Sequence, residues 1–213
     1  DNWLPPDNLQ VYPVPVVAHR TSPTNIGLSL LANLAAYDFG YSSTTELIKR
    51  TENTFSTLKK LDRFEGHFYN WYDTLSLRVL SPHYVSTVDS GNLAGHLLTL
   101  RQGLLAIPNQ RIVDRKDLQG LEDTLRITID AIPVSEIDLR DSLLSLYDSI
   151  NTNDLGLLAL KDHTTSLLTR YRKIVLLEIE KPIHSDNGWI QSFERQLEFM
   201  LQEIAQSAPW MNT

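Results

Sequence analysis

The feature that most constrains this 213-residue chain is a series of helical hydrophobic periods that begins at residue 23. Two kinds of helix alternate in its first half. Residues 23–38 and 90–106 are apolar nearly all round, which predicts helices buried on nearly every side. Residues 44–63 and 116–132 each carry one apolar stripe, which is typical of helices that rest on a core.

Buried and surface helices that take turns along a chain are typical of an α/α barrel or toroid, where an outer ring of helices encloses an inner ring. An ordinary helical bundle requires no such alternation. We therefore predict an all-α fold in which residues 20–133 form the first helices of a partial α/α barrel. The sequence contains no fixed-period repeat of the helical-repeat kind.

The remaining segments complete the predicted organisation. Prolines in the first twenty residues favour extended backbone, so residues 1–19 are expected to form an arm or linker. Three more helices, the last capped by Asp186, are expected to make a helical hairpin or small bundle from residues 134–213, for about seven helices in all. One short β-hairpin is predicted, with residues 69–72 paired to residues 77–80.

Composition and motifs exclude several classes of function. The absence of cysteine rules out disulfide frameworks, Cys-ligated metal sites and thiol catalysis. A net charge of -7 with scattered Lys and Arg does not fit binding to nucleic acid or anionic lipid. We find no motif for nucleotide binding, serine hydrolysis or zinc catalysis, and we expect no metal and no cofactor.

The ends and the hydropathy of the chain suggest where it belongs. The least charged long stretch, residues 21–37, contains Thr, Ser and Asn and does not read as a membrane span. The first residue is Asp1 rather than Met, and no signal peptide follows it. We expect the chain to be a piece of a longer protein.

Polar and aromatic residues are concentrated in three segments next to the predicted inner helices: residues 18–25, 66–74 and 86–92. In an α/α barrel such connections line one mouth, where helix N-termini present free N–H groups. Sugars suit this surface because their C–H faces stack on aromatic rings and their hydroxyls need fixed donors and acceptors. The candidate sugar-binding residues are Arg20, Asn25, His67, Asn70, Trp71, Tyr72, Asp73, Asp89 and Asn92.

These candidates also have structural interpretations. Ser22 and either Asp89 or Ser90 have the side chains that cap helices. The aromatic residues of segment 66–74 also suit a core beneath a hairpin. His67 has the alternative of an ordinary hydrogen-bonded histidine.

Asp73 and Asp89 are a candidate carboxylate pair for glycoside chemistry, although sequence gives no distance between them. A complete small glycosidase would need two facing carboxylates in a cleft. A cleft lined by Asn70, Trp71 and Asp89 would favour sugar binding. Burial and mutual satisfaction of the same side chains would favour a scaffold.

Four stretches of the sequence together resemble one protein family. In chain order they are WLPPDN (3–8), AHRTSPTNIG (18–27), GHFYNWYDT (66–74) and YVSTVDSGNLAG (84–95). They closely resemble the start of the central, glucoamylase-like region of the cyclic β-1,2-glucan synthases. The resemblance covers residues 1 to about 105, and the rest of the chain shows only a plausible helical continuation.

The resemblance implies a large bacterial inner-membrane enzyme with three parts. These are a membrane glycosyltransferase that uses UDP-glucose, a central (α/α)₆ region that cyclises the glucan, and a C-terminal phosphorylase-like region. The chain would be the start of the central part, on the cytoplasmic side. Its implied partners are a β-glucan oligosaccharide and the remaining domains of the synthase.

The resemblance also bears on activity. Twelve helices close an (α/α)₆ barrel, and about seven are predicted here, so the fragment is expected to lack later helices and to be inactive alone. No catalytic acid is assigned to any residue. The alternative is a non-catalytic helical scaffold within the synthase, for which the charged segment 157–180 and the apolar stripe of residues 190–204 suit partner packing.

Overall fold

The computed structural model describes residues 2–150, 155–178 and 188–212, and within them the protein is all-α, as the hydrophobic periods predict. The described residues form seven α-helices and three pairs of two-residue strands. The helices are α1 (Pro23–Asp38), α2 (Thr44–Leu58), α3 (Thr87–Ala106), α4 (Arg115–Ala131), α5 (Ile137–Tyr147), α6 (Leu157–Glu178) and α7 (Gly188–Ser207). Short 3₁₀ helices at Ile107–Asn109 and Pro209–Asn212 follow α3 and α7.

Capping side chains determine where α1 and α3 begin. The Ser22 hydroxyl accepts the Asn25 N–H at 3.2 Å, and α1 has the predicted bounds. The N-cap of α3 is Ser86, whose hydroxyl accepts the Asp89 N–H at 3.1 Å. Asp89 and Ser90 therefore lie inside the first turn of α3 and do not cap it. This is why α3 starts before the predicted residue 90.

The chain divides into two compact units. The first comprises Asp1–Ala35 and Thr45–Gln110, and the second comprises Ala36–Thr44 and Arg111–Thr213. A small core holds the first unit together. Its buried members are Leu4, Ile26, Leu58, Leu61 and Tyr72, with Phe55, Phe68, Tyr69, Leu77 and Val79 packed around them.

All the strands lie in the first unit and pair antiparallel. The pairs are β1 (Leu9–Gln10) with β2 (Val16–Val17), β3 (Arg20–Thr21) with β6 (Tyr72–Asp73), and β4 (Arg63–Phe64) with β5 (His67–Phe68). The predicted hairpin is reduced to a single bridge between Tyr72 and Val79. The ladder of β6 instead pairs it with β3, which places Arg20 opposite Asp73.

Helices α1 and α3 approach each other closely at two glycines. A Cβ on Gly27 would lie 2.3 Å from His96 Nδ1, and a Cβ on Gly103 would lie 2.5 Å from Leu34 Cδ2. At these two positions, glycine leaves room for a side chain of the facing helix.

Burial of α3 differs from the prediction. The helix is apolar nearly all round, yet only Leu93 and Leu100 are buried, and Leu98 is 64% exposed. Within the part of the chain that the structure describes, Val88 and Leu105 of this helix are also exposed. The expectation of a helix buried on nearly every side is therefore wrong for this chain.

The second unit is a bundle of α4, α5, α6 and α7, whereas the sequence pattern placed α4 within residues 20–133 and only the later helices in a bundle. Helices α4 and α6 both pack on α7, and α5 packs on α4 and α6. The apolar stripe of α7 is buried in this core through Phe193, Leu197, Met200 and Ile204. This apolar stripe, which the sequence offered as a surface for packing on an external partner, is therefore buried inside the unit. Asp186, the predicted cap of the last helix, lies outside the described residues.

A glycine contact fixes the segment that precedes α2 against α4. Gly40 has φ +74°, a conformation that favours glycine, and a Cβ there would lie 2.1 Å from the Lys116 carbonyl oxygen. A Cβ on Gly120 would lie 2.3 Å from the Gly40 carbonyl oxygen. Backbone thus meets backbone at this crossing, and no side chain fits between them.

None of the described helices is both long and apolar enough to cross a membrane.

Two Gly→Ala substitutions in helix interiors test the crossing. Gly120→Ala should lower the free energy of unfolding by about 1–3 kcal/mol, because backbone atoms must shift to admit the methyl group. Gly95→Ala in α3 is the matched control, since a Cβ there meets nothing within 4 Å. It should raise stability by roughly 0.5–1 kcal/mol. Chemical denaturation measures both, and equal effects at the two positions would contradict the close crossing.

Candidate functional site

The structure brings the three polar-aromatic segments together on the first unit. The β3–β6 ladder joins segment 18–25 to segment 66–74. Asn70 joins segment 66–74 to Asp89 in segment 86–92. The joined side chains form the Trp71 cluster, which consists of Asp7, Arg20, Asn25, Asn70, Trp71, Tyr84 and Asp89.

Asn70 is the hydrogen-bonding centre of the Trp71 cluster and is only 5% exposed. In the amide orientation that satisfies both its ends, Asn70 Oδ1 accepts the Trp71 Nε1–H at 2.5 Å and the Tyr84 hydroxyl at 2.7 Å. Asn70 Nδ2 donates to Asp89 Oδ2 at 2.8 Å. The Asn70 backbone N–H also donates to the Tyr84 carbonyl at 2.9 Å. These contacts fix the orientation of the Trp71 ring.

Asp89 ties the N-termini of α1 and α3 together. Its carboxylate accepts hydrogen bonds from the Ser86, Thr24 and Ser22 hydroxyls and from the Thr24 N–H. Burial acts to raise the pKa of Asp89, but the hydrogen bonds together outweigh it and hold the pKa below its ordinary value of 3.8. Asp89 therefore carries a negative charge at neutral pH, in a position that complements both helix dipoles.

Arg20 connects Trp71 to Asp7. The Arg20 guanidinium carbon lies 4.9 Å from the centre of the Trp71 ring, within the range of a cation–π contact. Arg20 Nε and Nη2 donate to Asp7 Oδ2 at 3.1 and 2.8 Å. Asn25 Nδ2 donates to the other Asp7 oxygen at 3.1 Å. The Arg20 hydrogen bond is the main reason why the pKa of Asp7 lies below its usual value.

Tyr72, a candidate for stacking, lies in the core of the unit. It is 0% exposed, and its hydroxyl donates to the Asp62 carbonyl at 2.6 Å and accepts the Tyr69 N–H at 2.8 Å. Burial is the main reason why the pKa of Tyr72 is raised. The ring is therefore not available to a ligand, and the expected stacking role is corrected to a structural one.

His67 and Asp73 also lie apart from the cluster contacts. His67 is exposed in β5, opposite Phe64. Asp73 Oδ1 accepts the Ser76 and Leu75 N–H groups at 2.6 and 3.0 Å, so the carboxylate closes a turn. The Ser76 backbone hydrogen bond is the largest cause of a lowered pKa at Asp73.

The accessible side chains of the site are fewer than the sequence candidates. Trp71 and Asn25 are half-buried, and Asn92 is exposed, with its amide donating to Thr24 Oγ1 at 3.1 Å. The Arg20 side chain is 52% exposed. These four side chains are the part of the site that a ligand would meet.

Sequence reasoning missed the residues that support the site. Asp7 and Tyr84 lie outside the three segments, and Thr24 and Ser86 lie inside them without having been selected. Asp7 and Tyr84 do fall in the stretches 3–8 and 84–95 that carry the family resemblance. That resemblance was the one signal able to point to them.

Asp73 and Asp89 are the two candidate carboxylates for glycoside chemistry. Glycoside cleavage needs one acid whose pKa is raised towards neutrality. Asp73 and Asp89 both have lowered pKa values, so neither acts as a proton donor near pH 7. No group of three or more metal-ligating side chains is found among the described residues.

Asp89→Ala tests the link between the two helix N-termini. The variant should lose about 1–3 kcal/mol of stability at neutral pH, because Ser22, Thr24 and Asn70 lose a charged acceptor. The folded pKa of Asp89 is depressed, so its contribution is present above 3.8 and disappears as the pH falls through the folded pKa. The difference in the free energy of unfolding between wild type and Asp89→Ala should therefore become smaller in acid.

Denaturation of wild type and Asp89→Ala at a series of pH values measures this difference in the free energy of unfolding. Asp141→Ala, at an exposed position on α5, is the control and should change stability by no more than about 0.5 kcal/mol. If the difference in the free energy of unfolding between wild type and Asp89→Ala stays constant from neutral pH to below 3.8, the carboxylate charge does not stabilise the contact between the N-termini of α1 and α3.

Comparison with known proteins gives the chain a relative. Over 99 residues the chain is 52% identical to the cyclic beta-(1,2)-glucan synthase NdvB of Rhizobium meliloti (strain 1021). The match covers 46% of this chain and 4% of the length of that protein, so the chain corresponds to a small part of its relative. No protein-family model matches the chain. The match confirms the predicted resemblance to the cyclic β-1,2-glucan synthase family.

Proposed function

We propose that this chain is part of a cyclic β-1,2-glucan synthase-like enzyme and that its Trp71 cluster contacts the glucan during cyclisation by transglycosylation. The observation that carries the proposal is the half-buried Trp71 ring, held by Asn70 on one side and covered by Arg20 at 4.9 Å. The 52% identity to a protein with that name supports the choice of substrate. The parent enzyme also supplies the implied partners, which are its other domains.

An aromatic ring with a fixed orientation suits a sugar for a physical reason. A sugar ring stacks on an indole through its C–H face, and the stacking is stronger when the indole loses no rotational freedom on binding. The hydrogen bonds to Asn70 remove that freedom in advance. Arg20 and Asn92 then offer hydrogen-bond donors to the hydroxyls at the rim.

The proposed role is positioning of the glucan, without chemistry in this segment. No candidate carboxylate of the site has the raised pKa of a general acid, so the catalytic acids of the proposed reaction would lie elsewhere in the parent enzyme. In this proposal the helices form part of an α/α toroid that other helices of the parent complete. The segment lies on the cytoplasmic side of the membrane.

Replacing Trp71 tests the proposal directly. Trp71→Ala should weaken binding of linear β-1,2-gluco-oligosaccharides by about 2- to 10-fold, as expected for the loss of roughly 0.5–1.5 kcal/mol of stacking. Trp71→Phe keeps a ring but loses the hydrogen bond to Asn70, and it should fall between wild type and Trp71→Ala. Isothermal titration of the full chain measures the affinities.

The control removes an exposed aromatic ring from another place in the same unit. Phe64 is 53% exposed in the β4–β5 hairpin, and Phe64→Ala should bind the oligosaccharide as wild type does. Circular dichroism establishes that each variant is folded. Equal affinities for wild type and a folded Trp71→Ala variant would argue that the cluster does not contact glucan.

A scaffold role is the second candidate function, and one observation favours it. Every polar side-chain atom of Asn70 is used by Trp71, Tyr84 or Asp89, so Asn70 itself offers nothing to a ligand. On this view the cluster only joins the helix N-termini inside the parent. Burial of the α7 stripe within the second unit removes one of the surfaces that suited partner packing in the scaffold interpretation. The same titration separates the two functions, because a scaffold predicts no binding to wild type.

A further inference from the structure

Tyr84 belongs to the Trp71 cluster but has no role of its own in the proposed function. It lies two residues before Ser86, the N-cap of α3, and it is 46% exposed. The sequence patterns did not select it as a sugar-binding residue. It therefore adds a fifth accessible side chain to the four sequence candidates that a ligand would meet.

Three contacts fix Tyr84 beside segment 66–74. Its hydroxyl donates to Asn70 Oδ1 at 2.7 Å, and its backbone carbonyl accepts the Asn70 N–H at 2.9 Å. The ring of the preceding residue, His83, packs against the ring of Tyr69 with 5.9 Å between the ring centres. Because the hydroxyl and the backbone are both held, the Tyr84 ring has little freedom to lose when a ligand packs on it.

Tyr84 and Trp71 are anchored on the same atom. Asn70 Oδ1 accepts the Trp71 Nε1–H at 2.5 Å as well as the Tyr84 hydroxyl, and an amide oxygen has two lone pairs for two such donors. The two rings therefore extend from one buried oxygen in different directions. Two rings with adjacent polar tips and separate faces suit two neighbouring residues of a sugar chain.

Trp71 alone offers a limited surface for stacking. The Arg20 guanidinium carbon lies 4.9 Å from the centre of the Trp71 ring, so one face of the indole is covered in the free protein. Trp71 is also half-buried, whereas Tyr84 is exposed. A glucan that stacks on the other face of Trp71 would therefore gain contact area from a second ring beside it.

We propose that Tyr84 is a second stacking surface for the glucan, so that the Trp71 cluster binds two neighbouring sugar residues of one chain. One sugar residue stacks on Trp71, and the next packs on Tyr84. Asn70 does not contact the sugar, and its amide oxygen sets the position of one ring relative to the other. This inference rests on the proposed function, since it names a further contact for the same ligand.

Isothermal titration of the full chain with the β-1,2-linked trisaccharide of glucose tests the proposal. Tyr84→Ala should weaken binding about 2- to 10-fold, as expected for the loss of one stacking contact. Tyr84→Phe keeps the ring but loses the hydrogen bond to Asn70, and it should bind more tightly than Tyr84→Ala. Tyr84→Leu keeps apolar volume without a ring and should bind as weakly as Tyr84→Ala, which gives a second measurement if the alanine variant is unstable.

Tyr12 provides the matched control, because it is a tyrosine of the same unit and is 87% exposed between β1 and β2. Tyr12→Ala should bind the trisaccharide with the affinity of wild type. Circular dichroism establishes that each variant is folded. A loss of affinity for Tyr12→Ala as large as that for Tyr84→Ala would overturn the proposal, since the effect would then not be specific to the Trp71 cluster.

A double variant separates direct contact from an effect that passes through Asn70. If Tyr84 contacts the sugar itself, Tyr84→Ala should weaken binding further in a chain that already carries Trp71→Ala. If Tyr84 only positions the Trp71 ring, the substitution should change nothing once that ring is absent. The second result would overturn the proposal.

The outcomes also separate this inference from the proposed function. If wild type does not bind the trisaccharide, both are overturned. If wild type binds and Trp71→Ala weakens binding while a folded Tyr84→Ala variant binds as wild type does, only the role of Tyr84 is overturned. Contact of the glucan with Trp71 would then stand without a second ring.

Discussion

The Asp89 carboxylate is the interaction on which the first unit depends. It accepts hydrogen bonds at the start of α1, through Ser22 and Thr24, and at the start of α3, through Ser86. It also receives the Asn70 amide, which holds Trp71 and Tyr84. One negative charge therefore joins two helix N-termini, where it is stabilised by their dipoles, to the loop that carries the aromatic ring. Without this carboxylate, the start of α1, the start of α3 and the loop around Asn70 would lose the acceptor that they share.

The features of the structure that depend on local interactions were predictable from the sequence. The helices appear because their hydrophobic periods are strong, and α1 matches its predicted bounds because Ser22 and Pro23 give an unambiguous start. The three polar-aromatic segments were recognised because aromatic and polar residues are so concentrated there. Which of several suitable side chains caps a helix was not predictable in the same way. Ser86, Asp89 and Ser90 all suit an N-cap, and only the backbone path selects Ser86.

Two further differences between prediction and structure arise because a sequence pattern does not specify tertiary contacts. Tyr72 and Trp71 are neighbours with similar chemistry. Because successive side chains of an extended backbone lie on opposite sides, Tyr72 at the start of β6 is buried in the core while Trp71, the residue before β6, is only half-buried. α3 has the composition of a buried helix, but burial depends on what surrounds it, and the described residues cover it only in part. A hydrophobic pattern therefore tells how a helix is suited to pack and leaves open which elements pack on it.

The Trp71 cluster uses its buried polar groups within the protein. In the Trp71 cluster the buried amide of Asn70 is fully paired within the protein, so the ring is rigid and a sugar would gain mainly from stacking. Such a surface is tolerant, since any pyranose face can stack on it. Stacking at this cluster therefore favours a repeated sugar chain in any register.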